Sequence, residues 1–485
     1  MSSNDRQARG RCAVALVAAA LVFALTDSGG ASDIDGNGLD ELGAFAIETQ
    51  GQARGPWLQL YSGTGQTISS FFLGPGVHDV QIQKIDYDGD GLDEVVTVAI
   101  APSGQRLLEV RNAGGTLLAS VVAAEPGAQR LALFEIDIDG LPPAEIGLAY
   151  TRGGPGISDP FVPLAAGLVQ VWRHAPGTPG GLTKISHLEV IPAGFADHTW
   201  MVADVGGDGR QELVAGYSEP PSLLAGDPAS HGAVARVVRP LIGLPATEIV
   251  VADAAFDSVQ WVVGDFVEAN PGQELMAGLR RRSDGVGVLR VLDLSGQLAN
   301  PRLVELDATP LGATELSWRA IRRDQPSPQP GQPPAPESHR ALVGFRQANG
   351  AWGFRVWETT TPVVSSIGGG TVLGAAAIVN DWIVGEFDAT TTNGDSIVVL
   401  FTRGDRSIGF QQWGQAGFTQ LGAATLFGPN FIEPRAVAIR AIQAGRDDLA
   451  IIARVVSQAP RLELWNVAGP GNRILVKTVL GPDVR

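Results

Sequence analysis

Short apolar runs alternate along this chain with clusters of polar residues and glycine, and the spacing of the runs repeats. Val95-Val96-Thr97-Val98-Ala99-Ile100 is one such run. It is β-branched and reads as a strand. A second kind of run alternates as apolar-x-apolar-large: Leu58-Gln59-Leu60-Tyr61, Val169-Gln170-Val171-Trp172, Phe354-Arg355-Val356-Trp357 and Leu462-Glu463-Leu464-Trp465. Residues 108–111, 289–292 and 410–413 keep the same register, the last with Gln412 at an apolar place. Ahead of each continuous run stands a nine-residue polar loop, clear or decayed, whose first positions are Asp33, Asp86, Asp137, Asp204, Asp265, Arg322, Glu386 and Arg440. Four residues before these positions come Ile82, Leu133, Trp200, Trp261, Trp318 and Trp382 in the second to seventh copies. Three columns that repeat together define a unit of strand, loop, strand, turn, strand, turn, strand.

Such a four-stranded unit has two apolar faces that it cannot bury alone, so copies stack around an axis. The pattern predicts an all-β propeller of about eight four-stranded blades over residues 32–485, with seven blades and an appended hairpin as the alternative. The first unit is expected to lack its opening strand, because residues 28–32 do not supply one, which gives 31 strands.

The loops carry the candidate chemistry. In Asp86-Tyr87-Asp88-Gly89-Asp90-Gly91-Leu92-Asp93-Glu94, carboxylates occupy positions 1, 3, 5 and 9, and glycine takes position 6, where the backbone turns. Alternate side chains of a tight loop point to one centre, and with the carbonyl of Leu92 they make an oxygen cage suited to Ca²⁺. An EF-hand opens the same way but needs a glutamate at position 12 and flanking helices. Position 12 here is Thr97, inside a strand-like run. A second full copy offers Asp33, Asp35, Asn37, the Leu39 carbonyl and Glu41. The third keeps Asp137, Asp139 and Glu145 but has Leu141 at position 5; the fourth keeps Asp204, Asp208 and Glu212 but has Gly206 at position 3. Later copies lose most of the cage, and the sixth replaces it with a proline-rich insertion over residues 324–340.

These Asp-x-Asp-Gly-Asp-Gly-x-x-Glu loops before an apolar strand resemble the FG-GAP/VCBS repeat family, the propellers of the integrin α-subunit head and of many secreted bacterial proteins. The resemblance covers residues 33–485 and is most specific in the first two copies. It implies Ca²⁺ in the loops between the first and second strands of the early blades, with ligands on the opposite face. Glu stands at position 9 where the family commonly has Asp.

Composition narrows the function. The chain has 485 residues with Gly 62 and Pro 32, which suits many short strands and turns, and a formal charge of −16, which repels phosphate backbones and excludes nucleic acid as a partner. The sole cysteine, Cys12, excludes a disulfide within the chain. Arg6, Arg9 and Arg11 precede an apolar run at residues 13–25, followed by Gly29-Gly30-Ala31. Residues 1–31 therefore read as an export signal, cleaved before Ser32, leaving no membrane span and a monomer secreted or held in a bacterial cell envelope.

Ligand contacts are expected where the copies diverge. The turns after the second strand are long in the third and fourth copies and offer Arg152, Asp159, Phe161, Glu219, Asp227 and His231. Arg403-Gly404-Asp405 reads first as a turn built on Gly404, and the repeated tryptophans as packing between blades. The six histidines show no zinc spacing, and no nucleophile elbow or phosphate loop is present. The reading is a non-catalytic binding or adhesion module for an extracellular protein or glycan. The enzymatic alternative is a polysaccharide lyase, since some rhamnogalacturonan lyases are calcium-bearing propellers with similar loops.

Overall fold

The computed structural model describes residues 21–24, 42–48, 55–62, 66–125, 127–152, 166–178, 180–193, 195–218, 233–239, 247–252, 255–267, 272–294, 302–323, 338–359, 365–387, 395–414, 418–428, 431–439, 447–455, 461–466 and 472–478. Among the described residues thirty-two strands, β1 to β32, form eight four-stranded antiparallel sheets, each made of four consecutive strands. The architecture is the predicted β-propeller, with eight blades. The opening strands are β1 (Leu21–Ala24), β5 (His78–Ile85), β9 (Ala128–Ile136), β13 (Ala196–Ala203), β17 (Phe256–Gly264), β21 (Thr314–Arg322), β25 (Ile378–Gly385) and β29 (Phe431–Ile439). From β5 onward each packs beside the opening strand of the next blade, and β29 lies against β1. These strands line the ring from inside.

Blade 1 departs from expectation. Its opening strand comes from Leu21–Ala24, which pairs antiparallel with β2 (Leu42–Glu48) in the register Leu21↔Phe45 to Ala24↔Leu42. The strand is drawn from the apolar run at residues 13–25, upstream of where the pattern looked for it. Hydropathy alone does not separate an export core from a buried strand, since both are short and apolar.

Burial follows the two kinds of run. The second strands β6 (Glu94–Ile100), β10 (Glu145–Arg152), β14 (Glu212–Ser218) and β18 (Glu274–Arg281) are buried over nearly their whole length, packed between neighbouring blades. The third strands β7 (Arg106–Arg111), β11 (Gly167–His174) and β15 (Ala233–Val238) follow. Of these β7 alternates buried and half-buried positions. Fourth strands such as β4 (Thr67–Phe72) are largely solvent-facing.

The tryptophan column locks blades together. Trp261, Trp318 and Trp382 are buried. Each stands over a glycine in the second strand of the preceding blade. A Cβ on Gly216 would lie 2.3 Å from the Trp261 Nε1, one on Gly278 2.2 Å from the Trp318 ring, and one on Gly344 2.1 Å from the Trp382 ring. Glycine is needed there because the indole fills the space of a side chain.

A second device joins blades at the loops. The Asp137 amide donates to the Gln211 Oε1 at 2.7 Å while the Gln211 amide donates to the Asp137 carbonyl at 2.7 Å. Asp204 and Gln273, Asp265 and His339, Arg322 and Asp395, and Glu386 and Asp447 repeat this reciprocal pair in the blades that follow. In the fourth to eighth loops the residue at the entry to the second strand thus clamps position 1 of the loop before it.

Candidate metal centre

In blade 2 the loop runs from β5 to β6, and its geometry is set by its own side chains. Asp86 accepts from the Gly89 amide at 2.8 Å and from the Gly91 amide at 3.1 Å. Asp88 accepts from the Asp90 amide at 3.2 Å, and Asp90 from the Leu92 amide at 2.9 Å. Gly89 and Gly91 sit at φ 80° and 88°, which glycine adopts without strain. The loop closes so that one carboxylate oxygen each from Asp86, Asp88 and Glu94 lie within 4.8 Å of one another.

Glu94 opens β6 and is only 5% exposed. Its Oε2 accepts from the Tyr87 amide at 3.1 Å. Burial pushes its carboxyl up from the ordinary 4.5 to about 8; the Tyr87 amide pulls it back, and the charges of Asp88, Asp90 and Asp86 push it further up. Like charges gathered in a half-dry loop resist ionisation unless a cation joins them. The set is made of hard oxygen donors on a glycine-hinged loop, and it fits Ca²⁺.

Blades 3 and 4 repeat the loop with a different partner. Asp137 accepts from the Gly140 amide at 2.6 Å and Asp139 from the Leu141 amide at 3.1 Å. Asp204 accepts from the Asp208 and Gly209 amides at 3.1 and 2.9 Å. Glu145 and Glu212 hold the Ile138 and Gly206 amides through Oε2, as Glu94 holds Tyr87. Their other oxygen meets a guanidinium. Arg173 Nε donates to Glu145 Oε1 at 2.8 Å, and its Nη2 reaches Asp139 Oδ2 at 2.6 Å. Arg239 Nε donates to Glu212 Oε1 at 2.6 Å, and its Nη2 reaches Asp208 Oδ2 at 3.2 Å. Burial pushes the Glu145 and Glu212 carboxyls up; Arg173 and Arg239 are among the groups that pull them back. Two candidate ligands in each loop, Asp139 with Glu145 and Asp208 with Glu212, are therefore brought together around an arginine, while Asp137 and Asp204 hold loop amides.

The register explains where the arginines come from. Ile146 pairs with Trp172 and Leu213 with Val238, so Arg173 and Arg239 stand across from Glu145 and Glu212. In blade 2, Val95 pairs with Arg111, which puts Asn112 across from Glu94. Asn112 turns its Oδ1 to the Thr116 amide at 3.0 Å, within its own turn. Blade 6 inverts the pair: Arg340 holds position 9 and donates to Glu358 at 2.9 Å. Arg173 follows the last residue of the third-strand pattern, Trp172, and Arg239 follows a third strand that lacks the pattern's large terminal residue, so neither carries a sequence signal of its own.

On the opposite face, Arg152 ends β10 and pairs with Glu125 at 3.1 Å, both exposed. Nearby a cavity of about 650 Å³ opens between the turn after β6 and the start of β9, with His78, Asp79, Gln129 and Arg130 at its wall. Arg130 is exposed, has no hydrogen-bond or ion-pair partner among the described residues, and stands at φ 49° where β9 bulges. Asp79 and Glu315 take the same left-handed conformation near the start of their strands, so the bulge recurs in the repeat. Asp405 caps its own turn through the Ser407 amide and hydroxyl at 2.9 and 2.6 Å, and Arg403 lies over the Phe401 ring, in keeping with a structural turn. Asp33, Asp35, Asn37, Leu39, Glu41, Asp159, Phe161, Glu219, Asp227 and His231 lie outside the described residues. Among the described residues no helix is long and apolar enough to cross a membrane.

No protein-family model and no curated protein sequence matches the chain. Solved structures do. The exotype rhamnogalacturonan lyase YesX is 16% identical with a TM-score of 0.49, over 91% of this chain and 72% of that one. Sqt1 of Saccharomyces cerevisiae is 12% identical with a TM-score of 0.45, over 89% and 95%. The WD40 domain of SCAP from fission yeast is 8% identical with a TM-score of 0.46, over 90% and 98%. At these identities the likeness concerns fold alone.

Proposed function

We propose that the protein is a calcium-stiffened, non-catalytic β-propeller of the FG-GAP/VCBS type, exported to a bacterial cell exterior, where it binds an extracellular protein or glycan. The observation that carries the reading is the blade 2 loop: three carboxylates converge there, one of them buried, with a neutral Asn112 in the place that holds an arginine in blades 3 and 4. Asp86, Asp88, Asp90 and Glu94 would hold the ion, with the Leu92 carbonyl as a further donor. Bound Ca²⁺ supplies cross-linking charge; the loop residues supply the closed backbone that keeps the oxygens together. Extracellular calcium is plentiful enough to fill even weak sites of this kind. The basic segment ahead of residues 13–25 supports export, and cleavage before Ser32 would remove β1 together with the signal.

The partner is assigned to the face opposite the ion loops, where the second strands of blades 3 and 4 end and the bulge at Arg130 lies. The test is a panel of polysaccharides and cell-surface glycans incubated with the protein, with calcium and with chelator, scoring retention and chain length. Retention without shortening, weakened in Arg130→Ala, is the expected result. Shortened chains with new ultraviolet absorbance would replace this reading with a lyase.

A further inference from the structure

In blades 2 to 4 the ion loop and the strand opposite it change together. Where position 3 and position 5 both carry a carboxylate or amide oxygen, the residue across from position 9 is uncharged, Asn112 in blade 2; in the sequence of the first copy Ser62 follows Tyr61 as Asn112 follows Arg111. Where one of those oxygens is missing, the residue across from position 9 is arginine: Arg173 beside Leu141, and Arg239 beside Gly206. We infer that Arg173 and Arg239 are tethered cations standing where the loop would otherwise hold a divalent ion, so that blades 3 and 4 keep the loop geometry without metal. This rests on the reading that the blade 2 loop takes Ca²⁺.

Three observations carry the inference. Each guanidinium engages position 9 and whichever of positions 3 and 5 is still acidic: Asp139 in blade 3 and Asp208 in blade 4. The position 9 glutamates divide their oxygens alike in all three blades, Oε2 to a loop amide, so that Oε1 in blades 3 and 4 shows what the position 9 carboxylate faces. In blade 4 the guanidinium also fills the room left by the absent side chain, since a Cβ on Gly206 would lie 2.5 Å from Arg239 Nη2. An ordinary surface ion pair has no reason to track a missing ligand. A guanidinium with its fork of donors satisfies two carboxylates at once, and it costs no binding equilibrium because it is covalently part of the blade.

The experiment counts calcium bound per chain by equilibrium dialysis of the full-length protein and its variants. Asp88→Asn should lower the count by one, whereas Asp139→Asn and Asp208→Asn should leave it unchanged. Restoring the blade 2 pattern in blade 3 with Leu141→Asp and Arg173→Asn should raise the count by one, as should Gly206→Asp with Arg239→Asn in blade 4. A fall in the Asp139→Asn or Asp208→Asn protein would overturn the inference, and so would the absence of any gain in doubly substituted proteins that fold by circular dichroism. If Asp88→Asn changes nothing, the calcium reading of blade 2 is lost. The stand-in inference then survives only if the double substitutions still gain an ion.

Discussion

Glu94 has two roles: its Oε2 accepts from the Tyr87 amide, and its carboxylate converges with those of Asp86 and Asp88. Because its folded-state carboxyl is displaced upward to about 8 from an ordinary 4.5, the metal-free native state holds a proton that the unfolded chain has already lost across that range. Stability from this group is therefore fully present below the ordinary value and is lost as pH rises through about 8, each unit of displacement being worth about 1.4 kcal/mol. Metal-free protein should melt at a lower temperature as pH rises through that window, and Glu94→Gln should flatten the dependence. Calcium competes with the same proton, so its affinity should climb over the same interval when measured by calorimetry. Arg173→Ala should destabilise by about 3 kcal/mol in urea unfolding, because it strands Glu145, which is 1% exposed, without its cation. A change within 0.5 kcal/mol, the range of a solvated surface pair, would contradict that assignment.

At the level of the element, the blade is held by what its second strand leaves out. Trp318, 1% exposed, occupies the volume over Gly278. Trp318→Ala should cost about 3–5 kcal/mol by opening a cavity between blades 5 and 6, read as a shift in the unfolding midpoint. Gly278→Ala should also destabilise, since the indole has to move for a methyl group to enter. The strand, loop and tryptophan columns were legible in the sequence because burial on a pleated strand imposes fixed periods. The arginines were not. Arg173 follows Trp172, the last residue of the third-strand pattern, and its role depends on the register that places it across from Glu145. The clamp between loops escaped for the same reason: Gln211, Gln273, His339 and Asp395 share a role through hydrogen bonding between blades, not through residue type.

Across the whole molecule, the ring is completed by a strand from an apolar segment that also has the charge pattern of an export signal. β1 packs beside β29, so the first and last blades meet through it. A chain begun at Ser32 should unfold at a lower temperature than the full-length chain if β1 contributes to closure; equal transitions would favour cleavage before Ser32. The formal charge of −16 works against a compact state and is partly answered where a cation enters a loop, whether tethered or free. In blade 2 the cation we propose is a free one. Thermal unfolding of the metal-free protein with and without added Ca²⁺, beside Asp88→Asn, tests this. Calcium at about 100 times its dissociation constant should stabilise the parent by about 2.7 kcal/mol per site. The calcium-dependent rise in Tm should be smaller in Asp88→Asn, and an identical rise in the two proteins would rule out a cation in the blade 2 loop.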